Sequence, residues 1–267
     1  MSTATAPSFR TVATREDLPE PWRSFPFLAA DLPRYSQAVV WGGSRALVLN
    51  VPARDGRSRA LVGVGGPEPL SDVLASAFTS DGAPLPGTGL EEASPAVASL
   101  TRGAWDLLPA PVQHRLDLPR VAHWDWMVTT QAPPRQPGEE RVEELDLHAS
   151  YAELAQLQQV VLPQTYTSLD QPGLRWFGWR DGDGVLRSLL AAGNWRHEVH
   201  LGSIGTHPAW RRHGLGTTLT AAVTRMGIAA TGQVSLGLYT DNHAARRVYE
   251  RLGFVLTQEV ESRRPAS

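Results

Sequence analysis

The most informative stretch of this 267-residue chain is Ile204-Gly-Thr-His-Pro-Ala-Trp-Arg-Arg-His-Gly-Leu-Gly-Thr217. An apolar run precedes it and helically spaced apolar residues follow it, so we expect a strand, a tight loop and a helix that starts at the glycines. A helix N-terminus carries unpaired N–H groups and a partial positive charge. Gly214 and Gly216 lack the Cβ atoms that would keep a pyrophosphate from those groups, and Arg211 and Arg212 add charge at the rim. The stretch therefore predicts an anion-binding loop.

Strand and helix patterns extend from this loop in both directions. Short apolar or alternating runs predict strands, and helically spaced apolar residues predict helices between them. The sequence Asp181-Gly-Asp-Gly184 predicts a hairpin turn. Strands are predicted at residues 141–146, 175–180, 185–191, 197–206, 234–240 and 254–260, and helices within residues 151–161, 215–226 and 245–252. The order β-α-β-β-β-α-β-α-β is typical of an α/β fold with a mixed sheet.

A second motif follows the loop after one predicted helix and one predicted strand. It is Asn242-x-x-Ala245-x-x-x-Tyr249-x-x-x-Gly253-Phe254. Together with Arg211-x-x-Gly214-x-Gly216, it resembles the acyl-CoA binding and C-terminal motifs of the GNAT acyltransferase superfamily. The resemblance begins near Glu140 and runs to the end of the sequence; residues 1–138 contribute nothing to it directly.

The resemblance implies a GNAT-like acyl-CoA N-acyltransferase fold whose sheet splays between strands 197–206 and 234–240. Acetyl-CoA, the usual donor in the family, would enter this gap as the acyl donor, and no metal is implied. The pantetheine would lie along the strand backbone, the pyrophosphate on the loop, and the thioester near Asn242 and Tyr249. Contacts with the donor are expected at Ile204, Gly205, Thr206, Arg211, Arg212, His213, Gly214, Leu215, Gly216, Thr217 and Asn242.

Acyl transfer to an amine also needs an acid, because the CoA sulfur leaves as a thiolate that must be protonated. Tyr249 matches the tyrosine that serves as general acid in many members of the family. The alternative is a partly buried aromatic side chain on the last helix. Asn242 likewise has a simpler role as the cap of the helix that it opens.

A base must take the proton of the attacking amine, which is mostly charged at neutral pH. Glu198 and His200 are spaced so that both side chains lie on one face of the predicted strand. Either could be the base, or either could simply lie at an exposed strand end. The run His197-Glu-Val-His200 does not fit the zinc motif H-E-x-x-H, which needs a spacing of four residues on a helix.

Three aromatic residues, Tyr166, Trp176 and Trp179, precede the loop strand and could form a wall of the acceptor pocket. Aromatic side chains in paired strands are more often part of a core. The sequence leaves both interpretations open.

Composition and charge exclude several functional classes. The formal net charge is −2, from 25 Arg and Lys against 27 Asp and Glu, so no basic excess favours binding to nucleic acid or to an anionic membrane surface. The absence of cysteine excludes disulfides, thiolate zinc sites and a cysteine nucleophile. No signal peptide and no apolar run of about 18 residues is visible, so we expect a cytoplasmic protein.

The segment Gln131-Ala-Pro-Pro-Arg-Gln-Pro-Gly138 is too rich in proline for a helix or a strand, and it predicts a domain join. We expect a smaller α/β domain at residues 1–138 and the GNAT-like domain at 139–267. In the first domain, strands are predicted at residues 36–41, 45–51, 59–64 and 124–130, and helices at 70–78 and 93–108. This domain could be a degenerate copy of the same fold, a wall of the acceptor site or a homodimer contact.

These observations favour an acyl-CoA-dependent N-acyltransferase that transfers acetyl to an amine of a small molecule or peptide. Direct attack in a ternary complex is expected, because no cysteine can carry an acyl group. The alternatives are a non-catalytic CoA-binding or sensor protein and an N-acyltransferase for longer acyl-CoA donors.

Overall fold

The computed structural model describes residues 8–29, 35, 37–53, 57–91, 94–165, 167–193 and 195–266. They form two compact units, the first being Met1–Asp125 with Gln258–Ser267 and the second Trp126–Thr257. The predicted domain boundary between residues 138 and 139, and the separate role of each domain, stay predictions. No helix of the described residues has both the length and the apolar character needed to cross a membrane.

The secondary structure alternates along the whole chain. The strands are β1 (Arg10–Val12), β2 (Ala38–Gly42), β3 (Ala46–Pro52), β4 (Arg59–Gly65), β5 (Val97–Thr101), β6 (Arg120–Thr129), β7 (Val142–Leu145), β8 (Arg175–Arg180), β9 (Leu186–Gly193), β10 (Val199–Thr206), β11 (Val234–Tyr239) and β12 (Val255–Arg264). The helices are α1 (Pro26–Ala29), α2 (Pro67–Ala75), α3 (Ala110–Leu116), α4 (Leu147–Val161), α5 (Leu215–Thr231) and α6 (His243–Arg251). The predicted mixed α/β class is confirmed.

The first unit contains a mixed sheet with the strand order β1-β2-β3-β4-β5-β12. Neighbours in this sheet are antiparallel except for β4 and β5, which are parallel. The predicted meander at residues 36–64 is confirmed as β2, β3 and β4. The core of this unit contains Trp41, Leu61, Leu70, Leu100 and Trp105, all buried.

The predicted helix at residues 93–108 is wrong. The described residues there form β5 and a single 3-10 turn at Trp105–Leu107. Ala98 and Leu100 are buried while their neighbours in β5 are half-buried, which is the period of two expected for a strand. Pairing with β4 on one side and β12 on the other fixes this conformation.

The second unit follows the predicted order of strands and helices. Its sheet has the order β6-β11-β10-β9-β8-β7. The pair β10 and β11 is parallel, whereas β7–β8, β8–β9 and β9–β10 are antiparallel. The hairpin between β8 and β9 is confirmed, and its turn is closed by a hydrogen bond from the N–H of Gly184 to the carbonyl of Asp181.

Two apolar clusters cover the two faces of this sheet. One cluster joins strand residues Leu201 and Leu236 to Leu219 of α5 and Tyr249 of α6. The other joins strand residues to α4 through Leu154 and Leu157, with Trp176 and Leu189 among its members. Successive residues of β10 and β11 therefore face either the α5 and α6 side or the α4 side.

The proline-rich segment 131–138 is bound to α5. The hydroxyl of Thr218 donates to the carbonyl of Pro137 at 3.0 Å. The guanidinium of Arg225 donates to the carbonyls of Pro133 and Pro134, each at 3.2 Å, and forms an ion pair with Glu139. The segment forms neither helix nor strand, as predicted, but it is held by side chains of the longest helix.

Candidate functional site

Strands β10 and β11 diverge near the middle of their length. Their parallel pairing runs from Val199↔Val234 to Leu201↔Leu236, although β10 continues to Thr206 and β11 to Tyr239. The divergence starts at an irregularity in β10, whose register against β9 shifts between Gly202 and Gly205. Within that shift, Ser203 has a left-handed φ of 48°. The two strand ends therefore border a gap, as the resemblance implied.

The N-terminus of α5 follows directly after β10 and a short loop. Among the described residues, none accepts a hydrogen bond from the backbone N–H groups of residues 212–217. Gly214 caps the helix with a φ of 85°, a conformation that side chains disfavour, and apart from its chain neighbours no atom of the described residues lies within 4 Å of where its Cβ would be. These N–H groups and the helix dipole form a site for an anion of the size of a pyrophosphate.

The side chains of the loop are partly held by the loop itself. The Nε of Arg211 donates to the carbonyl of Thr206 at 3.3 Å. The Nδ1 of His213 lies 2.9 Å from the carbonyl oxygen of Arg211, and this nitrogen must be the donor because a carbonyl oxygen only accepts. Arg212 is exposed, with a left-handed φ of 66°. Positive charge therefore borders the run of N–H groups.

Aromatic rings support the loop from the side of β8 and β9. The ring of Trp210 lies 6.1 Å from that of Trp179 and 6.3 Å from that of His213. The guanidinium carbon of Arg187 stands 5.1 Å from the Trp210 ring centre, and Arg187 is in turn paired with Asp181. Tilted ring contacts and a cation near a ring, as found here, restrain a loop that contains few regular hydrogen bonds.

The two tryptophans that could have formed an acceptor pocket are core residues. Trp176 is 1% exposed and its indole N–H donates to the carbonyl of Leu169. Trp179 is 8% exposed and donates to the carbonyl of Gly138. Tyr166, the third candidate, lies outside the described residues.

The two candidate bases meet at one hydroxyl group of the neighbouring strand. Ser235 Oγ donates to Glu198 Oε1 at 2.6 Å, and His200 Nδ1 lies 3.1 Å from the same Oγ. The other carboxylate oxygen of Glu198 accepts from Gln233 Nε2 at 2.7 Å. Glu198 and Ser235 are fully buried, whereas His200 is half-buried and stacks on Trp126 with ring centres 4.6 Å apart.

Glu198 and His200 lie on the same face, as the strand spacing predicted. The sequence did not single out Ser235, Gln233 or Trp126. A signal was present for Ser235, because it is a polar residue between Val234 and Leu236 in a predicted buried strand.

Tyr249 belongs to the cluster on the α5 and α6 side of the sheet. It is 8% exposed and its ring packs edge-on against Phe254 at 6.0 Å between centres. Burial raises the pKa of Tyr249 to about 12, because an apolar environment disfavours the phenolate. The hydroxyl therefore stays protonated at neutral pH. Because His200 alternates with residues of this cluster along β10, Tyr249 and the pair of candidate bases belong to opposite faces of the sheet.

Asn242 caps α6 by accepting the N–H of Ala245 at 3.1 Å. This capping is the simpler role that the sequence suggested, and it leaves the amide nitrogen of the side chain as a donor. His197 is exposed, and the described residues contain no group of three or more His, Asp or Glu side chains that could hold a metal ion.

Comparison with known proteins gives a match to one family in this part of the chain. Residues 135–254 match the model of the acetyltransferase (GNAT) family. A mycothiol acetyltransferase of Gordonia bronchialis is 36% identical over 99 residues, which cover 32% of this chain and 31% of that protein. The chain thus matches about a third of the length of this curated relative.

Solved structures share the fold over most of the chain. A GCN5-related N-acetyltransferase from Sphaerobacter thermophilus has a TM-score of 0.56 at 15% identity, over 100% of this chain and 98% of its own. A Drosophila protein gives the same TM-score and identity over 90% of this chain and 86% of its own. At these identities the likeness concerns the fold alone.

Proposed function

Because residues 135–254 match the model of the acetyltransferase (GNAT) family, we propose that this protein transfers the acetyl group of acetyl-CoA to an amine of a small molecule or a peptide. The observation that carries the proposal is the run of backbone N–H groups at residues 212–217, without acceptors among the described residues, beside the gap between β10 and β11. A helix N-terminus next to a strand whose edge is open suits a long ligand with a pyrophosphate at one end.

The donor would lie in the gap with its pyrophosphate on the N–H groups of α5 and with Arg211 and Arg212 nearby. Its pantetheine would follow the edge of β10 at Ile204, Gly205 and Thr206, the edge that β11 leaves after Leu201. The carbonyl of Gly205 already accepts from Ser188 Oγ at 2.8 Å, so we expect the remaining edge groups to hold the ligand.

We assign the base to His200. A free amine is needed for attack, and an imidazole has an ordinary pKa near neutrality, so it can take the proton of an ammonium group. Glu198, the other candidate, is fully buried and both of its oxygens accept hydrogen bonds from protein side chains. The half-buried imidazole is the better placed of the two to reach a substrate.

We assign Tyr249 to the departing sulfur: a thioester that lies in the gap between β10 and β11 would face Tyr249 on one side of the sheet and His200 on the other. A phenol with a pKa of about 12 holds its proton at neutral pH and can donate a hydrogen bond as charge develops on sulfur. A thiol has an ordinary pKa of about 8.5, so complete proton transfer from this phenol is uphill in water. The pKa of about 12 for the phenol already includes the effect of burial, so enclosure of the thiol, which raises the thiol pKa, narrows the difference between the two groups.

Attack is direct in this proposal. His200 passes the ammonium proton to solvent before the chemical step. The amine nitrogen then forms a bond to the acetyl carbonyl carbon, the bond from that carbon to sulfur breaks, and the second nitrogen proton goes to His200. The sulfur leaves as a thiolate and receives a proton from Tyr249. No cysteine is present to carry the acetyl group between the two substrates.

Thermal unfolding with and without acetyl-CoA or CoA tests binding. A ligand at a hundred times its Kd stabilises the folded state by about 2.7 kcal/mol, which is a measurable rise in Tm. We expect both compounds to raise Tm, and no rise with either would overturn the proposal. Acetyl-CoA, butyryl-CoA and octanoyl-CoA should then be compared in a thiol-release assay with a panel of amines.

The thiol-release assay also separates the alternatives. Thiol release that is fastest with acetyl-CoA supports acetyl-CoA as the donor. Faster release with butyryl-CoA or octanoyl-CoA would instead indicate an acyltransferase for longer donors. Binding without release for any donor and amine would favour a CoA-binding sensor.

A further inference from the structure

Two hydrogen bonds at Ser235 Oγ connect Glu198 to His200. A hydroxyl group has one proton to donate, and a carboxylate can only accept. Because Ser235 Oγ lies 2.6 Å from Glu198 Oε1, the Ser235 proton is directed to the carboxylate. The same oxygen then has only lone pairs to offer to His200 Nδ1 at 3.1 Å.

From this arrangement we infer that Ser235 and Glu198 are positioning residues that hold neutral His200 in the Nδ1–H tautomer, with its lone pair on Nε2. The inference rests on the proposed function for its catalytic consequence, but the tautomer itself does not depend on it. We call the hydrogen-bonded chain Glu198–Ser235–His200 the relay. An unconstrained neutral imidazole prefers the Nε2–H tautomer, so the relay would hold His200 in the less stable of its two neutral tautomers.

Several contacts make the relay rigid. Gln233 Nε2 donates to Glu198 Oε2 at 2.7 Å, so the carboxylate is fixed at both oxygens. Ser235 and Glu198 are fully buried, where water does not compete for these hydrogen bonds. The backbones are also in register, because His200 and Ser235 are paired residues of β10 and β11. Finally, the Trp126 ring lies parallel to the imidazole, with 3° between the planes, which fixes the plane of the ring.

The position of the relay explains why it would matter for acyl transfer. His200 is the residue before Leu201, where the pairing of β10 with β11 ends. The His200–Ser235 pair is therefore the last but one before the strands diverge, next to Leu201↔Leu236. A base at this position needs its lone pair on the nitrogen away from Ser235, and the tautomer determines which nitrogen that is.

The tautomer can be measured directly by long-range ¹H–¹⁵N NMR on protein labelled with ¹⁵N-histidine. The protein has eight histidines, and the His200 signals are assigned as those missing from His200→Gln. At pH 8.5 we expect wild-type His200 to show the Nδ1–H pattern. An Nε2–H pattern in the wild-type protein would overturn the inference, without any variant having to fold.

Two variants at Ser235 test the cause. Ser235→Ala should shift His200 towards the Nε2–H pattern, whereas Ser235→Thr keeps the hydroxyl and should retain the Nδ1–H pattern. Thr220→Ala is the matched control, since it removes another fully buried hydroxyl, one on α5, and should leave the His200 pattern unchanged. An unchanged pattern in a folded Ser235→Ala protein would show that the relay does not set the tautomer.

Turnover gives the second readout. With an accepted amine, Ser235→Ala should lower kcat/KM by about tenfold or more, while the KM for acetyl-CoA stays within about twofold. If Ser235→Ala raised the KM for acetyl-CoA by the same factor as it lowered kcat/KM for the amine, Ser235 would have a general structural role, and the result would count against the inference. If the wild-type protein has no turnover with any amine, the proposed function fails, and the NMR result still decides the tautomer.

Discussion

Gly205 of β10 lies directly against Val161, the last residue of α4. A Cβ at Gly205 would lie only 2.4 Å from Val161 Cγ2 and 2.9 Å from Val161 Cβ. The resemblance assigned Gly205 to the donor, yet its lack of a side chain is already explained by helix packing. The strand edge that borders the gap is therefore held in place by α4.

Gly205→Ala should lower the free energy of unfolding by about 1–3 kcal/mol, because the added methyl group overlaps Val161 and must displace α4 or β10. Denaturant unfolding monitored by tryptophan fluorescence measures the loss. Gly202→Ala is the matched control, since a Cβ there meets none of the described residues within 4 Å apart from its chain neighbours, and it should cost less than about 0.5 kcal/mol. Equal losses in the two variants would contradict the packing argument.

The glycines at the two ends of α5 allow a test of the anion loop. Gly214 and Gly232 have φ values of 85° and 78°, and in the described part of the chain only local backbone neighbours lie within 4 Å of a Cβ at either position. Alanine at either position should therefore cost about 1–2 kcal/mol of stability from backbone strain alone. Only Gly214→Ala should also weaken CoA binding, by about tenfold in calorimetry, because it distorts the N–H groups beside it. Equal weakening by Gly232→Ala would indicate an effect of stability alone.

Tyr249 should make the protein sensitive to alkali. The phenol ionises near pH 10 in the unfolded chain but near pH 12 when folded, so its contribution is complete below pH 10 and is lost as the pH rises to 12. Two pKa units correspond to about 3 kcal/mol. We expect urea unfolding between pH 9 and pH 11.5 to show a steeper loss for the wild-type protein than for Tyr249→Phe. Parallel losses would mean that Tyr249 ionises equally in both states.

Tyr249→Phe should also slow acetyl transfer without weakening acetyl-CoA binding, because the proposed hydrogen bond to sulfur forms only as charge develops there. A fall in kcat of about tenfold or more, with an unchanged Kd for acetyl-CoA, is the expected result from rapid kinetics and calorimetry. Undiminished turnover would remove Tyr249 from the mechanism and leave it as a core residue.

Arg225 should contribute to stability through the proline-rich segment. Arg225→Ala removes the hydrogen bonds to Pro133 and Pro134 and the ion pair with Glu139, and should lower the free energy of unfolding by about 1–2 kcal/mol. Arg251→Ala, at an exposed position of α6, is the control and should change it by less than about 0.5 kcal/mol. Limited proteolysis within residues 131–138 should be faster in Arg225→Ala only.

Local patterns in the sequence were sufficient for much of the second unit. The loop before α5 and the hairpin at Asp181–Gly184 depend on glycines and on helix and strand periodicity, which act over a few residues. The donor and acid assignments came from the resemblance and stay predictions, as do those of the two candidate bases.

The error at residues 93–108 has a different origin. Ala and Leu in that segment suit a helix, but β5 is held between β4 and β12, and β12 lies more than 150 residues further along the chain. Only the folded sheet brings such partners together, and burial of alternate residues against them outweighs a weak local preference.

The sequence by itself determined the order of strands and helices in the second unit and the place of the anion loop, because both depend on residues close together along the chain. Tertiary structure alone decided that Ser235 joins Glu198 to His200, that Val161 requires glycine at position 205, and that α5 binds the proline-rich segment. Each of these contacts joins residues at least 35 positions apart in the sequence. Patterns that act over a few residues cannot specify which distant groups will meet in the folded protein.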